Sequence, residues 1–149
     1  MAIPKLILIL KRLYDTFSLK LRIQLYRAMG VKIGDSCFIS AKAYIDKTKP
    51  EFIEIGNNCM ITRGCMILCH SDAKLGGLKR LWGAREYKKV RLGNNVFLGV
   101  ETTVMPGVKI GDNVVVGAKS LVTADIPPNS LAFGIPAKRV KPLKDFLKK

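Results

Sequence analysis

Aliphatic residues recur every six positions along most of this chain, which has 149 residues. The period holds within three blocks, whose phase shifts at two insertions. The repeated positions are Ile33, Ile39, Ile45, Ile55, Ile61, Ile67, Leu92, Leu98, Val104, Ile110, Val116 and Val122. A fixed short period is the sequence signature of a repeat architecture. We therefore expect one structural unit to be stacked many times.

The clearest unit begins at Ile110 and continues as Gly111, Asp112 and Asn113. The aliphatic residue faces inward, glycine permits a tight bend, and the Asp-Asn pair is typical of turns. Short strands joined by tight turns stack as a parallel β-helix, in which each coil buries its aliphatic residues on those of the next. With three units to a coil, we expect about four coils. They would span residues 33–50, 55–72, 92–109 and 110–127.

Three segments fall outside the register and define the predicted organisation. Residues 1–32 precede the repeat, and apolar residues between positions 6 and 29 recur at helical spacing among cations, which predicts one or two amphipathic helices. Such a segment caps the open end of the repeat, lies on a membrane surface, or does both. Residues 73–91 interrupt the 33–127 repeat and predict a projecting loop. Residues 128–149 form a C-terminal extension that ends in a short helix.

Composition narrows the choice of partners. The chain has 26 Lys and Arg against 11 Asp and Glu, an excess that favours a polyanionic partner. The cations cluster in the N-terminal segment, the loop and the C-terminus, which argues against a groove for nucleic acid. Four cysteines without a CxxC pair and a single histidine predict no metal site. Cys37, Cys59 and Cys65 occupy inward register positions, as expected of packed thiols in a reduced, cytoplasmic setting.

Motifs between Val90 and Val140 carry a resemblance to a known family. The segments LGNNVFLG, VMPGVKIGDNVVVGAKSLVTADIPPNS and FGIPAKRV closely resemble the hexapeptide-repeat acyltransferases, especially the maltose, galactoside and capsular-polysaccharide O-acetyltransferases. The resemblance implies an all-β fold built on a left-handed parallel β-helix, and a homotrimer with active sites between subunits. Near Ser40 there is no clear counterpart of the family's acceptor-binding asparagine, so neither maltose nor galactoside is specified.

His70 ends the second predicted coil and matches the family's catalytic histidine in position. A hydroxyl near neutral pH is a poor nucleophile, and imidazole is the side chain best suited to accept its proton. The resemblance implies that His70 is this general base. It also assigns the amide that stabilises the oxyanion to Gly99. Asp72 and Glu101 are candidates for orienting His70, and each is equally well explained as a solvated carboxylate.

The resemblance further implies acetyl-CoA as the acyl donor. The positions that match the family's CoA groove are Gly99, Gly117, Ala118 and Thr123, with Lys138 and Lys141 for the phosphates. For the acceptor, the loop and its edge offer aromatic rings beside cations, namely Trp82, Arg85 and Tyr87. Equally, the loop could be solvated, with Trp82 anchoring it to a neighbouring subunit.

The function expected from the resemblance is acetyl transfer to a sugar hydroxyl in a surface polysaccharide such as O-antigen, capsule or exopolysaccharide. Two alternatives stay open. One is an antibiotic-inactivating or serine-type acetyltransferase of the same fold, and the other is a non-catalytic basic β-helix scaffold. We expect a cytoplasmic protein, with residues 1–29 as a candidate for peripheral association with the inner face of the membrane.

Overall fold

A computed structural model describes residues 5–72 and 85–146 of the chain, with side chains from residue 17 onward. Most of the strands are short and run parallel to their neighbours in three sheets. Sheet A contains β1 (Lys32–Ile33), β4 (Ile53–Ile55), β9 (Val90–Leu92) and β12 (Lys109–Ile110). Sheet B begins with β2 (Phe38–Ile39), β5 (Met60–Ile61), β10 (Val96–Leu98) and β13 (Val114–Val116). Sheet C contains β3 (Tyr44–Ile45), β6 (Met66–Ile67), β11 (Thr103–Val104) and β14 (Leu121–Val122).

The chain visits sheets A, B and C in turn, so each strand stacks on the strand one coil earlier. All twelve repeat aliphatics are buried inside this prism, which confirms that the repeated position faces inward. Cys37, Cys59 and Cys65 are buried free thiols, as predicted. The prediction of an all-β fold with stacked parallel strands is confirmed. The left-handed coil implied by the resemblance stays a prediction.

The outer surfaces of the three sheets differ in chemistry. Sheet A is charged, with Lys32, Glu54 and Arg91 aligned across its strands. Sheet B carries a ladder of apolar side chains on its outer surface, where Phe38 pairs with Met60 and Met60 with Phe97. The alternation of buried and outward positions along each strand puts these residues on the outside.

Within the described residues, one helix precedes the repeat, α1 (Lys5–Ala28). Ile23 and Tyr26 pack against the end of the core. Arg22 donates to the carbonyl oxygen of Ile39 at 2.6 Å, and Arg27 donates to that of Ile33 at 2.9 Å. Guanidinium groups thus satisfy carbonyl groups at the first coil, where no earlier strand is available. No helix in the described part of the chain is long and apolar enough to cross a membrane.

The C-terminal extension begins with two strands that the sequence did not predict. Sheet B continues with β15 (Ser130–Gly134), and β16 (Ala137–Pro142) turns back antiparallel to it. A short helix, α2 (Leu143–Phe146), follows within the predicted terminal region. The six-residue rule does not detect this hairpin because it follows the Pro127-Pro128 pair and leaves the coil register.

The predicted loop 73–91 is too long at its C-terminal end. Two strands pair antiparallel across the ends of the loop, β7 (His70–Ser71) and β8 (Glu86–Tyr87). Residues 90 and 91 already belong to β9. A 3₁₀ turn at Pro50–Phe52 lies where the first coil passes to the second. Residues 73–84, including Trp82, lie outside the described residues.

Candidate active site

His70 lies on a narrow antiparallel ribbon at one corner of the prism. It pairs with Tyr87 across the ribbon, and Ser71 pairs with Glu86. The next rung is an ion pair, in which Arg85 Nη2 donates to Asp72 Oδ2 at 3.1 Å and Arg85 Nε donates to the other carboxylate oxygen. The ribbon fixes the backbone of His70 while its imidazole stays partly exposed.

Asp46 is the partner of the inner ring nitrogen. Its side chain is fully buried, and Oδ2 lies in a short hydrogen bond with His70 Nδ1. The same oxygen accepts the amide of Cys69 at 3.0 Å. Thr48 donates to Oδ1 through its amide at 3.0 Å and its hydroxyl at 2.7 Å. Four donors therefore hold the carboxylate.

These contacts decide the charge of Asp46. Burial by itself would raise the pKa of its carboxyl, but the hydrogen bonds from Thr48, Cys69 and His70 outweigh burial and hold the pKa well below its usual value. An ionised carboxylate accepts hydrogen bonds and cannot donate them. The proton of neutral His70 therefore lies on Nδ1, and Nε2 has a free lone pair directed away from Asp46. This is the tautomer that a general base requires.

Asp72 and Glu101, the two candidate orienting carboxylates, occupy different places. Asp72 Oδ2 lies 3.5 Å from His70 Nε2, on the side of the ring that would face an acceptor. Glu101 lies at another corner and forms an exposed ion pair with Lys119 at 3.7 Å. Neither binds Nδ1, so Asp46 replaces both as the orienting group.

The ring of Tyr87 lies beside His70 and is surrounded by several other side chains. Its ring centroid lies 6.0 Å from that of His70 and 6.3 Å from that of Phe52. Lys49 Nζ lies 5.9 Å from the same centroid, and Arg85 Cζ lies 6.0 Å from it. Hydrogen bonds to Tyr87 and Asp72 raise the pKa of Arg85. Two predicted acceptor residues, Arg85 and Tyr87, are thus brought to His70.

The predicted CoA residues divide between two corners. A step of eighteen residues returns to the same corner one coil later, whereas a step of six moves to the next corner. Gly99, Gly117 and Ala118 therefore share the corner that follows sheet B, while Thr123 follows sheet C at the corner of His70. Thr123 and Ser71 line a cavity of about 240 Å³ there. Within one chain the four positions do not form one continuous groove.

Gly99 does not offer the amide expected for an oxyanion. Its N–H already donates to the carbonyl oxygen of Val116 at 2.9 Å as part of coil stacking. A Cβ atom at Gly99 would lie 2.5 Å from the nitrogen of Ala118, and one at Gly117 would lie 2.8 Å from Cβ of Phe133. Both glycines are needed for the close approach of successive coils.

Lys138 and Lys141 lie on β16, beside the last strands of sheet B. Lys138 is exposed and pairs in register with Phe133. Lys141 Nζ lies 5.6 Å from the ring centroid of Phe146. Both cations lie on the hairpin, above the corner of Gly117.

Asp46 could have been found from the repeat. It directly follows Ile45, and none of the other eleven residues that follow a repeat aliphatic is charged. A carboxylate where the register carries small, polar or apolar residues needs a specific partner, because burying an unpaired charge is costly. The identity of that partner depends on how the coils stack.

The sequence is similar to those of known proteins. Residues 89–124 match the family model described as bacterial transferase hexapeptide (six repeats), and residues 30–69 match the hexapeptide repeat of succinyl-transferase. The protein CapG of Staphylococcus aureus is 37% identical over 80% of this chain and 70% of its own length. A galactoside O-acetyltransferase of Lactococcus lactis is 33% identical over 83% of this chain and 69% of its own length.

A solved structure is also similar. A hexapeptide-repeat-containing acetyltransferase of Vibrio cholerae, in complex with acetyl-CoA, has 30% sequence identity and a TM-score of 0.69. The match covers 78% of this chain and 62% of the solved one. This chain thus spans a little under two thirds of that protein's length.

Proposed function

Because this chain belongs to the hexapeptide-repeat acetyltransferase family, we propose that it is an acetyl-CoA-dependent O-acetyltransferase with His70 as its general base. The observation that carries the proposal is the buried carboxylate of Asp46 on His70 Nδ1. An ionised carboxylate on Nδ1 keeps Nε2 unprotonated until the acceptor arrives, as a general base requires.

Acetyl-CoA, when bound, supplies the acetyl group as a thioester. His70 Nε2 takes the proton of the acceptor hydroxyl as the hydroxyl oxygen attacks the thioester carbon. Asp46 stabilises the imidazolium that forms and keeps the ring in place. After the carbon–sulfur bond breaks, His70 returns the proton to the thiolate of CoA. Proton and acetyl group are thereby accounted for without an acyl-enzyme.

The donor has suitable contacts near this site. Ala118 and Thr123 are exposed at the two corners that flank sheet C, and Lys138 can contact a phosphate from β16. Thr123 and Ser71 line the cavity beside His70. Thr123 at the corner of His70, Ala118 at the next corner and a cation farther away suit a long, phosphate-bearing ligand.

The outer surfaces of sheets B and C suit assembly into a homotrimer. Sheet B carries Phe38, Met60 and Phe97 in register, 42%, 44% and 37% exposed, and sheet C carries Tyr44 and Met66 at 41% and 40%. Contiguous exposed apolar surface of this kind is typical of protein interfaces. Packing of the apolar faces between copies would bury the outer surfaces of sheets B and C and leave the charged sheet A exposed.

The oligomer can be tested by light scattering after size exclusion. Phe97→Glu puts a charge into the apolar ladder and is expected to give monomers with intact β-structure. Lys109→Glu, on the charged sheet A, is the matched control and should leave the oligomer unchanged. A trimer that survives Phe97→Glu would contradict this interface.

The acceptor is proposed to be a sugar hydroxyl of a surface polysaccharide or its precursor. The relative from Lactococcus lactis is named a galactoside O-acetyltransferase, which supports a sugar. Apolar residues at four-residue spacing along α1 and directly after its end, namely Phe17, Leu21, Leu25 and Met29, are exposed, whereas Ile23 and Tyr26 pack on the core. With the chain's formal charge of +15, this face suits an anionic membrane surface, where lipid-linked glycans are found.

Membrane association has its own test. Flotation with vesicles containing anionic lipid should carry the full chain upward, and Leu21→Asp should abolish flotation because it puts a charge in the apolar stripe. Lys47→Ala, away from the helix, is the control. Equal flotation of the parent chain and Leu21→Asp would count against the helix as the contact.

The enzymatic proposal is tested by release of CoA with a panel of sugars, nucleotide-sugars, serine and chloramphenicol. His70→Ala should lower the rate by about 10²–10⁴-fold, the usual contribution of a general base, while acetyl-CoA binding is retained. Lys47→Ala is the matched control. A chain that binds no acetyl-CoA and turns over no acceptor would refute the proposal and favour the scaffold.

A further inference from the structure

The thiol of Cys69 lies beside the catalytic pair but takes no part in the proposed reaction. Its side chain is fully buried, and Sγ makes a 3.5 Å contact with the carbonyl oxygen of Lys49. Burial and the neighbouring Asp46 carboxylate raise the pKa of the Cys69 thiol to about 11. The thiol is therefore protonated at neutral pH and inert as a nucleophile.

The donor atoms at this corner are close enough to share one cation. One carboxylate oxygen of Asp46, Cys69 Sγ and one ring nitrogen of His70 all lie within 4.8 Å of one another. Zinc bonds of about 2.0–2.3 Å in a tetrahedron require ligand atoms about 3.3–3.6 Å apart. Side-chain rotations that move the donor atoms by about 1 Å would bring them to these separations.

A fourth donor atom, a hydroxyl oxygen, is available from the same segment as Asp46. Thr48 Oγ1 lies 2.7 Å from Asp46 Oδ1 and 3.0 Å from His70 Nδ1. The backbone holds the group together, because the amide of Cys69 donates to Asp46 Oδ2 at 3.0 Å. The sequence predicted no metal site because its cysteines lack CxxC spacing; these ligands come from two stacked coils.

We propose that Asp46, Cys69 and His70 form an inhibitory site for Zn²⁺. A thiolate and an imidazole favour Zn²⁺ over Mg²⁺ and Ca²⁺, which prefer oxygen ligands. Thiolate and carboxylate together balance the two charges of the cation, so the buried complex is neutral. The inhibition rests on the proposed function, whereas the binding does not.

The chemistry of binding explains inhibition. The thiol loses its proton to solvent and its sulfur bonds zinc. The Nδ1 nitrogen of His70 bonds zinc as well, so the proton it carried moves to Nε2. One proton is released for each zinc bound, apart from buffer effects. His70 then lacks the lone pair on Nε2 that the acceptor hydroxyl requires, and the enzyme is inactive while the metal is bound.

Binding is measured with Co²⁺ as a spectroscopic substitute for Zn²⁺. Titration of the full chain should produce a thiolate-to-cobalt charge-transfer band and the intense visible bands of tetrahedral cobalt, and Zn²⁺ should displace them. Cys69→Ser should lose the charge-transfer band and bind at least about tenfold more weakly, the lower range for losing even a supporting group of a metal site. Cys37→Ser, another buried thiol, should behave like the parent chain.

Inhibition is measured on the initial rate of CoA release. Zn²⁺ should inhibit the parent chain and Cys37→Ser, a chelator should restore the rate, and Mg²⁺ at the same concentration should have no effect. Cys69→Ser should keep the metal-free rate and resist Zn²⁺. Equal Zn²⁺ inhibition of Cys69→Ser and the parent, or no charge-transfer band in the parent, would overturn the site. If no acceptor is turned over, the cobalt titration still decides it.

Discussion

Replacing Asp46 by asparagine changes the charge behind His70 and leaves the side-chain shape nearly unchanged. If the amide oxygen keeps both donors of Thr48, the NH₂ group faces the amide of Cys69 and Nδ1 of His70. The NH₂ group can only donate. His70 must then accept on Nδ1 and carry its proton on Nε2, the wrong nitrogen for a base.

The structure sets the expected magnitudes. The same substitution behind the general-base histidine of serine proteases lowers kcat by roughly 10⁴-fold, and we expect about 10²–10⁴-fold here, within the usual contribution of a general base. The amide of Cys69 loses its acceptor at a buried site, which should lower the free energy of unfolding by about 1–3 kcal/mol. The KM for acetyl-CoA should change little, because Asp46 is buried beneath His70 and away from the donor.

The pH dependence has a defined sign. The pKa of Asp46 is lowered in the folded state, so its contribution to stability is present above the unfolded pKa of about 3.9 and is lost as pH falls through the folded pKa. The difference in unfolding free energy between the parent chain and Asp46→Asn should therefore narrow below about pH 4.

The assay combines initial rates of CoA release with urea unfolding from neutral to acidic pH. Asp72→Asn is the matched control, since that exposed carboxylate lies 3.5 Å from Nε2 and is paired with Arg85. An exposed pair contributes at most about 1 kcal/mol, so a rate loss below about fivefold is expected. If Asp46→Asn retained a rate within about threefold of the parent, a barrier change under about 0.7 kcal/mol, Asp46 would not set the tautomer.

Three further changes test the scaffold. Gly99→Ala puts Cβ 2.5 Å from the nitrogen of Ala118 and should lower the free energy of urea unfolding by about 1–3 kcal/mol; an unchanged midpoint would contradict the tight stacking. Arg27→Ala removes charged hydrogen bonds from α1 to the first coil and should cost about 1.5–3 kcal/mol, with Lys20→Ala neutral, and equal effects would refute this docking. Burial raises the pKa of the Cys69 thiol from 9.0 to about 11, so part of the stability present below pH 9.0 is lost as pH rises to about 11. In Cys69→Ser the free energy of unfolding should lack that part of its decline between pH 9.0 and about 11. Identical curves of unfolding free energy against alkaline pH for the variant and the parent would show that the thiol ionises normally.

Much of this protein follows from its sequence. The period of six determines which residues face inward. Residues eighteen apart occupy equivalent positions in successive coils, so inward aliphatic residues stack on one another. The motifs between Val90 and Val140 predict the acetyltransferase family, which the matches to known proteins confirm. The same period also predicts that Gly99 and Thr123 lie at different corners, because their separation is not a multiple of eighteen residues.

Contacts between coils could be decided only by the tertiary structure. Asp46 and His70 are 24 residues apart, and they meet because the first coil passes beneath the second at the corner where the ribbon begins. The amide of Gly99 and the orientation of Tyr87 are likewise settled by stacking and by ring packing, neither of which leaves a local pattern. A local repeat specifies the direction of each side chain, whereas the atoms it touches depend on how neighbouring coils and the interrupting loop come together.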